Sequence, residues 1–363
     1  MHNNSAQSAK NSRSSGEMAA DSSRESAVTA GGSAPAFPRA SVPTMNSMRR
    51  NLGRHRRLVL TCVLAVVMLL LSLQPTALVI ELPGPTADVL GTVEVSASAS
   101  GAKSVSEKES KKESAKESAK DSATKTATKT ATKIDIISIS GIRTYKQKGQ
   151  LRLVTVSSTG VPGYPAPAAA ALWAWFDPRM AVMPQEVVYS VDTTPQDFKK
   201  EGDEEMTTAQ DTASKVAVEY VKNHAQELGL SDSASSISAL SSAKIQLHID
   251  DIGGPSAGMM YTLGIIAKLT PADETGGQKI AGTGTIEKDG TVGRIGGIQL
   301  KMLGAQRDGA RYFLAPEGNC DEVVGHIPPG LEVYSVKTID DAYAAVKAIG
   351  SGQVSGLTRC AVK

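Results

Sequence analysis

Five arginines, Arg49, Arg50, Arg54, Arg56 and Arg57, stand directly before an apolar run from Leu58 to Ile80 that only Ser, Thr, Gln74 and Pro75 interrupt. A helix of that length reaches across a bilayer core of ~30 Å. The basic cluster before it, and Glu81 after it, place the N-terminus in the cytoplasm and the rest of the chain outside. The length of the preceding segment and the full-span run favour an uncleaved anchor over a removed signal peptide. The chain is thereby expected to divide into a cytoplasmic tail (1–57), a transmembrane helix (58–80) and an extracytoplasmic remainder.

Composition divides that remainder. The first 50 residues and the stretch near 100–133 hold almost no large hydrophobes and cannot bury enough surface to offset chain entropy. The Lys-, Glu- and Ala-rich repeat that passes into Thr-Lys repeats over 102–133 reads as part of a low-complexity linker, 81–133. The tail 1–57 is expected to be disordered. A folded domain is expected over 134–350, with a short C-terminal tail at 351–363. Lys and Arg total 39 against 37 for Asp and Glu, so no nucleic-acid footprint follows from charge. Three cysteines and five histidines, none in ligand spacing, point to no metal and no cofactor. Once outside, Cys320 and Cys360 are free either to pair or to stay reduced.

Within the domain, hydrophobic periodicity predicts a mixed α+β fold. Strands are read at 134–139 and 151–156, and a short helix at 168–175. Trp173 and Trp175 read as buried anchors in preference to a peptide-binding wall. A helix is read over 207–228, capped by Thr207 or Thr208 and stopped by Gly229. A strand follows at 243–249. Strand runs at 279–286 and 291–295 flank Lys288-Asp289-Gly290 as a hairpin. Strands at 311–314 and 331–336 and a closing helix at 339–349 complete the set.

Chemistry gathers at two places. Gly253-Gly254-Pro255-Ser256-Ala257-Gly258 sets a serine in a glycine-rich turn just where a helix over 259–269 begins. Gly253 and Gly254 let the backbone turn beside a substrate, and Ala257 and Gly258 keep the helix start uncrowded. Helix N-termini favour a developing oxyanion, but a serine needs a base. His248 is the only histidine nearby. A buried lysine can also serve, because desolvation favours its neutral amine, and Lys301 lies among Ile298, Leu300, Met302 and Leu303 on a second helix. Read from pattern alone, the first stretch is equally a helix cap and Lys301 equally a solvated charge. No GxxxxGK[ST] loop occurs, and Gly282-Thr283-Gly284 lacks the third glycine of a dinucleotide fingerprint, so no nucleotide partner is read.

Taken together, GGPSAG, then Ile280 to Ile286 (IAGTGTI), then IGGIQLK from Ile295 to Lys301, with Asn319-Cys320 after Phe313-Leu314-Ala315-Pro316, resemble the proteolytic domain of the Lon family. Glu81-Leu82-Pro83-Gly84-Pro85 after the apolar run resembles its membrane-anchored bacterial branch, in which a PDZ domain accompanies the peptidase. The resemblance implies a Lon-type fold of mixed sheets with packed helices. It also implies a Ser-Lys dyad of Ser256 as nucleophile and Lys301 as general base, with Gly254, Pro255 and Ala257 shaping the turn. Thr283 falls where the family orients the lysine; the alternative is an ordinary strand residue. Where the ATP-dependent members carry an acidic residue the chain has Gly253, and Asp250 and Asp251 read as solvent-facing. The stretch between the long helix and the strand at 243 leaves no room for a PDZ of ~90 residues. The implied activity is ATP-independent serine endopeptidase action on flexible polypeptides outside the cytoplasm, and rings of such domains imply self-association. The alternative is a catalytically idle module of the same fold, acting as a scaffold at the cell envelope.

Overall fold

The structure is a computed structural model that describes residues 45–96, 131–190, 192–230, 234–248 and 254–361. Most of the expected tail and linker, and Asp250, Asp251 and Gly253, lie outside the described residues. Two compact units, Met1–Val63 and Leu64–Lys363, divide the chain, and the boundary falls inside the first helix.

That helix, α1 (Met45–Ser72), contains His55–Ser72, long and apolar enough to cross a membrane. It stops at Ser72, short of the expected Ile80. Pro75 cannot continue a helix and disfavours helical geometry at Gln74. The last apolar residues of the run turn instead into strands β1 (Pro75–Thr76) and β2 (Leu78–Asp88).

Strand β2 corrects the expected boundary at 134, because it is part of the main sheet. It is followed by β3 (Thr92–Ser96), β4 (Ala131–Asp135), β5 (Ile137–Ser140) and β6 (Gln150–Thr159). Next come β7 (Ala166–Pro167), α2 (Ala168–Ala174) and β8 (Ala181–Pro184). The long helix α3 (Pro195–Asn223) starts twelve residues before the expected Thr207, with Thr194 as its cap and Pro195 at its first turn. Its early turns, from Gln196 to Glu205, are mostly charged and, but for Phe198, exposed, so no apolar period announced them. Thr207 and Thr208 lie mid-helix and donate to the carbonyls of Asp203 and Glu204. A short helix α4 (Ala234–Ser242) fills the Ser-rich link before β9 (Lys244–Leu247).

The remainder follows the expected order: α5 (Gly258–Leu269), β10 (Lys279–Gly282), β11 (Thr285–Ile286), β12 (Val292–Gly293) and α6 (Ile298–Arg307). It ends with β13 (Tyr312–Pro316), a short helix that was not expected, α7 (Cys320–Val323), then β14 (Glu332–Val336) and α8 (Ile339–Gly350). The hairpin at Gly290 forms as the β11–β12 pair.

A six-stranded sheet of order β14-β13-β10-β6-β2-β8 organises the second unit. Its first four strands are mutually parallel, whereas β2 runs antiparallel to β6 and β8. Side chains alternate between two cores. Leu151, Leu153, Ile280, Tyr312, Leu314 and Tyr334 join α5 and α8 on one face. Val154, Ala281, Phe313 and Val333 join α6 on the other. The tail beyond α8 is also ordered as far as it is described: Arg359 bridges Tyr334, and Cys360 is disulfide-bonded to Cys320.

The tryptophans differ from expectation. Trp173 and Trp175 are each 68% exposed, because α2 turns its alanines, Ala171 and Ala174, toward Ile80 and Ala166.

Candidate active site

Beyond the carboxyl end of β10, the two helices that flank the sheet bring their N-terminal regions together, a place where parallel sheets commonly bind ligands. Helix α5 is entered through a single 3-10 turn, Pro255–Ala257, which carries Ser256. Its position is fixed by reciprocal bonds to the segment after β10. Gly284 donates its N–H to Ser256 O at 2.8 Å, and Met259 donates its own to Gly284 O at 3.0 Å. A side chain at Gly258 would put its Cβ 2.8 Å from Ile286 Cγ2, so the glycine permits this close approach of α5 to β11.

The second component comes from the opposite face. Gly297, with φ +66°, caps α6 in the left-handed region, and a Cβ there would lie 2.8 Å from Val156 Cγ1. One turn on, Lys301 is 3% exposed and directs its amine at the serine, Nζ to Oγ 3.0 Å. Thr283, fully buried, links the pair: its hydroxyl donates to Ser256 O at 3.1 Å and lies 3.4 Å from Lys301 Nζ. Burial lowers the Lys301 pKa to about 8, against a smaller opposing pull from Glu81. Burial likewise raises the Glu81 carboxyl, with Lys301 pulling the other way. A largely dry amine able to lose its proton near neutrality stands within hydrogen-bond reach of a hydroxyl, the geometry that activates a serine.

The other expected residues divide. Ala257 is buried and its N–H donates to Gly254 O at 3.0 Å. Pro255 opens the 3-10 turn. Gly254 is extended, φ 174° and ψ −175°, so no turn requires a glycine there. A Cβ at Gly254 would meet open space, which leaves its surroundings free for a ligand. His248 shares no hydrogen bond with Ser256 or Lys301 among the described residues; its backbone N–H donates to Ile136 O.

Sequence reasoning missed three supports. Glu81, read as the charge closing the apolar run and the start of a branch-like motif but not as a site residue, sits on β2 beside the start of α6, its Oε2 3.4 Å from where a Gly297 Cβ would stand. Arg307, at the far end of α6, donates to Pro83 O and Gly84 O at 3.1 and 2.8 Å. Asn319 is fully buried and bonds both backbone groups of Ile295, just ahead of α6. The signals for Glu81 were its place directly after an apolar segment and the Glu81-Leu82-Pro83-Gly84-Pro85 resemblance, neither of which assigned it a place at the site.

Two open grooves meet at Pro255. One, of about 610 Å³, is lined by Val161, Pro162, Tyr164, Phe198, Met206 and Gly254 among others. The second, of about 870 Å³, is lined by Glu201, Glu204, Glu205, Glu287 and Asp289 with Lys288. Ser256 and Lys301 lie beside these grooves, not within their lining. Among the described residues no cluster of His, Cys, Asp or Glu is arranged to hold a metal ion.

Residues 202–347 match the Lon protease (S16) C-terminal proteolytic domain. Lon protease 1 of Sorangium cellulosum is 32% identical over 139 residues, 36% of this chain and 16% of the relative. The Lon protease of Mycoplasma pneumoniae is 36% identical over 143 residues, 38% of this chain and 17% of the relative. That of Fusobacterium nucleatum is 37% identical over 91 residues, 24% and 12% of the two chains. The matched segment thus spans about a sixth of the first two relatives. Strands β2, β6 and β8, with Glu81, lie outside it.

Proposed function

From a chain whose residues 202–347 carry the proteolytic domain of a Lon-type serine peptidase, we propose a membrane-anchored, ATP-independent endopeptidase that works outside the cytoplasm through Ser256 and Lys301. The observation that carries this reading is the 3.0 Å contact between Lys301 Nζ and Ser256 Oγ in a site where the lysine is buried.

The chemistry follows from that contact. Neutral Lys301 takes the hydroxyl proton as Ser256 Oγ attacks the scissile carbonyl carbon. The resulting oxyanion develops near the N-terminus of α5, where the helix dipole favours negative charge. The protonated lysine then gives its proton to the departing amine, leaving an acyl-serine. Water deprotonated by the same lysine releases the acid. Thr283 holds the amine in line by accepting from it while its own proton goes to Ser256 O. Glu81, on the neighbouring strand, keeps the amine more basic than burial alone would leave it.

Substrate would lie along the two grooves that meet at Pro255, which suits an extended polypeptide passing the serine. The sequence holds no phosphate loop, so substrates would be flexible chains or loops that need no unfolding. The apolar stretch of α1 and the arginines before it support the anchor and its orientation. The Cys320–Cys360 disulfide supports an oxidising compartment.

The test is cleavage of an unfolded protein by the detergent-solubilised full chain without ATP. Ser256→Ala and Lys301→Ala should each lower the rate on the order of 10⁴-fold or more. Equal, negligible activity in the folded parent and both variants would overturn the reading in favour of an idle scaffold.

A further inference from the structure

Helix α2 is built the wrong way round for a helix in water. A surface helix normally buries its large apolar residues and shows polar ones. Here Ala171 and Ala174 face inward, while Leu172 and Trp173 of the helix and Trp175 and Phe176 just past its end face outward with exposures of 56%, 68%, 68% and 79%. Tyr164 and Val187, 75% and 71% exposed, are the other large exposed hydrophobics in this stretch of chain. A soluble surface seldom leaves so many large apolar side chains together without something to cover them.

The backbone says what lies next to them. The residues that follow α1 are tied to this region at every step. Ala168, the first residue of α2, donates its N–H to Gln74 O at 2.9 Å. Pro75 and Thr76 pair with Pro167 and Ala166, and the Thr76 hydroxyl donates to Ala166 O at 2.9 Å. Gln185, two residues before Val187, donates to Ala77 O at 3.2 Å. The aromatic face is therefore fastened two to five residues beyond Ser72, where the apolar helix ends. At ~3.4 Å per residue the fastening begins ~7 Å of chain beyond the helix end and finishes within ~17 Å, so its first tie falls within the ~5–8 Å headgroup layer that borders the core.

We propose that the outward face of α2 rests in the lipid–water interface of the bilayer that α1 enters, seating the peptidase domain against the membrane. This rests on the anchored reading of α1. Tryptophan suits such a layer, with an apolar ring to bury and an indole N–H for the headgroups. Four large apolar side chains add substantial buried area to a single span. The consequence for function is positional: the β1–β7 side of the domain is held at the membrane, so substrates would be segments presented near the bilayer surface.

The chain has two tryptophans and both are on this face, so tryptophan emission, excited where tyrosine does not absorb, reports on it alone. The full chain would be reconstituted in phosphatidylcholine vesicles, with or without acyl chains brominated near the headgroup, and tested for resistance to alkaline extraction. The expected result is a chain that resists extraction, with blue-shifted emission that brominated lipid largely quenches. Leu172→Ser with Phe176→Ser keeps both tryptophans and alters only exposed positions; its emission should shift to the red and its quenching should fall. An unextractable chain whose emission stays unquenched, red or blue, overturns the interfacial seat while leaving the anchor standing; unquenched blue emission would mean protein covers the face. Quenching unchanged in the double variant also overturns it. A chain released by alkali overturns the anchor and this inference with it.

Discussion

Asn319 holds Ile295 by both of its backbone groups: the side-chain oxygen accepts from the Ile295 N–H at 3.0 Å and the side-chain amide donates to the Ile295 carbonyl at 2.8 Å. Both residues are buried, so no water substitutes if the clamp is lost. Ile295 leads through Gly296 and Gly297 into α6, and so the clamp sets where Lys301 begins its reach. Asn319→Ala should lower unfolding free energy by about 2 kcal/mol or more, read from urea melts, since buried backbone groups left unpaired cost about 1–3 kcal/mol each. Asn319→Asp keeps the acceptor but sets a buried carboxyl against the Ile295 carbonyl and Glu322, and should cost at least as much. If Asn319→Ala melts like the parent, the clamp is not what fixes the loop.

Lys301 must be neutral to accept the serine proton, and burial lowers its pKa to about 8. Peptidase kcat/KM should therefore rise with pH through a midpoint near that value. Glu81 acts the other way, favouring the charged amine. In Glu81→Gln the rising limb should move to lower pH. A profile that moves to higher pH, or does not move, would show that the carboxyl is not felt by the amine.

How much of this was legible beforehand depends on how local the signal is. Ser256, Lys301 and Thr283, which the structure brings within hydrogen-bond reach of one another, could be singled out because each sits inside a short motif, and most of the strand and helix order from Met259 to Ile349, though not the short α7, followed from periodicity and the Asp-Gly turn. The contribution of β2 was hidden because its residues read as the end of an apolar span and the start of a linker. Their pairing with β6 crosses more than sixty residues of chain, which no window of sequence displays. The start of α3 was hidden by its charge: a helix without an apolar stripe announces itself only through Thr194 and Pro195. The exposure of Trp173 and Trp175 was missed because a tryptophan in a soluble domain is ordinarily a packing residue, and its burial depends on what lies beside it in space.

The lowered Lys301 pKa also carries a stability prediction. Folding favours the neutral amine, so the folded chain binds fewer protons than the unfolded one between about 8 and the ordinary lysine value of 10.5. Stability should rise with pH across that window, and the cost of burying the amine is fully present below it. The gap corresponds to about 3 kcal/mol. Lys301→Met, similar in length and without charge, should abolish cleavage yet raise unfolding free energy at pH 7 by about 1–3 kcal/mol, with the advantage shrinking above pH 8. A methionine variant that is less stable at pH 7 would mean that the bonds to Ser256 and Thr283 outweigh the desolvation of the amine.

Cys360 fastens the C-terminal segment as a strap across β14. Ser335 donates its N–H to Thr358 O at 2.8 Å, Arg359 pairs with Glu332 at 3.2 Å, and the disulfide to Cys320 closes a separation of 40 residues. Chain-entropy reasoning gives about 4 kcal/mol for a loop of that length, less whatever order the unfolded chain keeps. Cys360→Ser should thus lower the melting temperature by several degrees, and reductant should bring the parent down to the variant while leaving the variant unmoved. Because α7 begins at Cys320, directly after Asn319, the strap also braces the clamp on Ile295. Its loss should weaken activity before the domain unfolds, in thermal inactivation curves run beside melts. Coincident inactivation and melting would confine the disulfide to global stability.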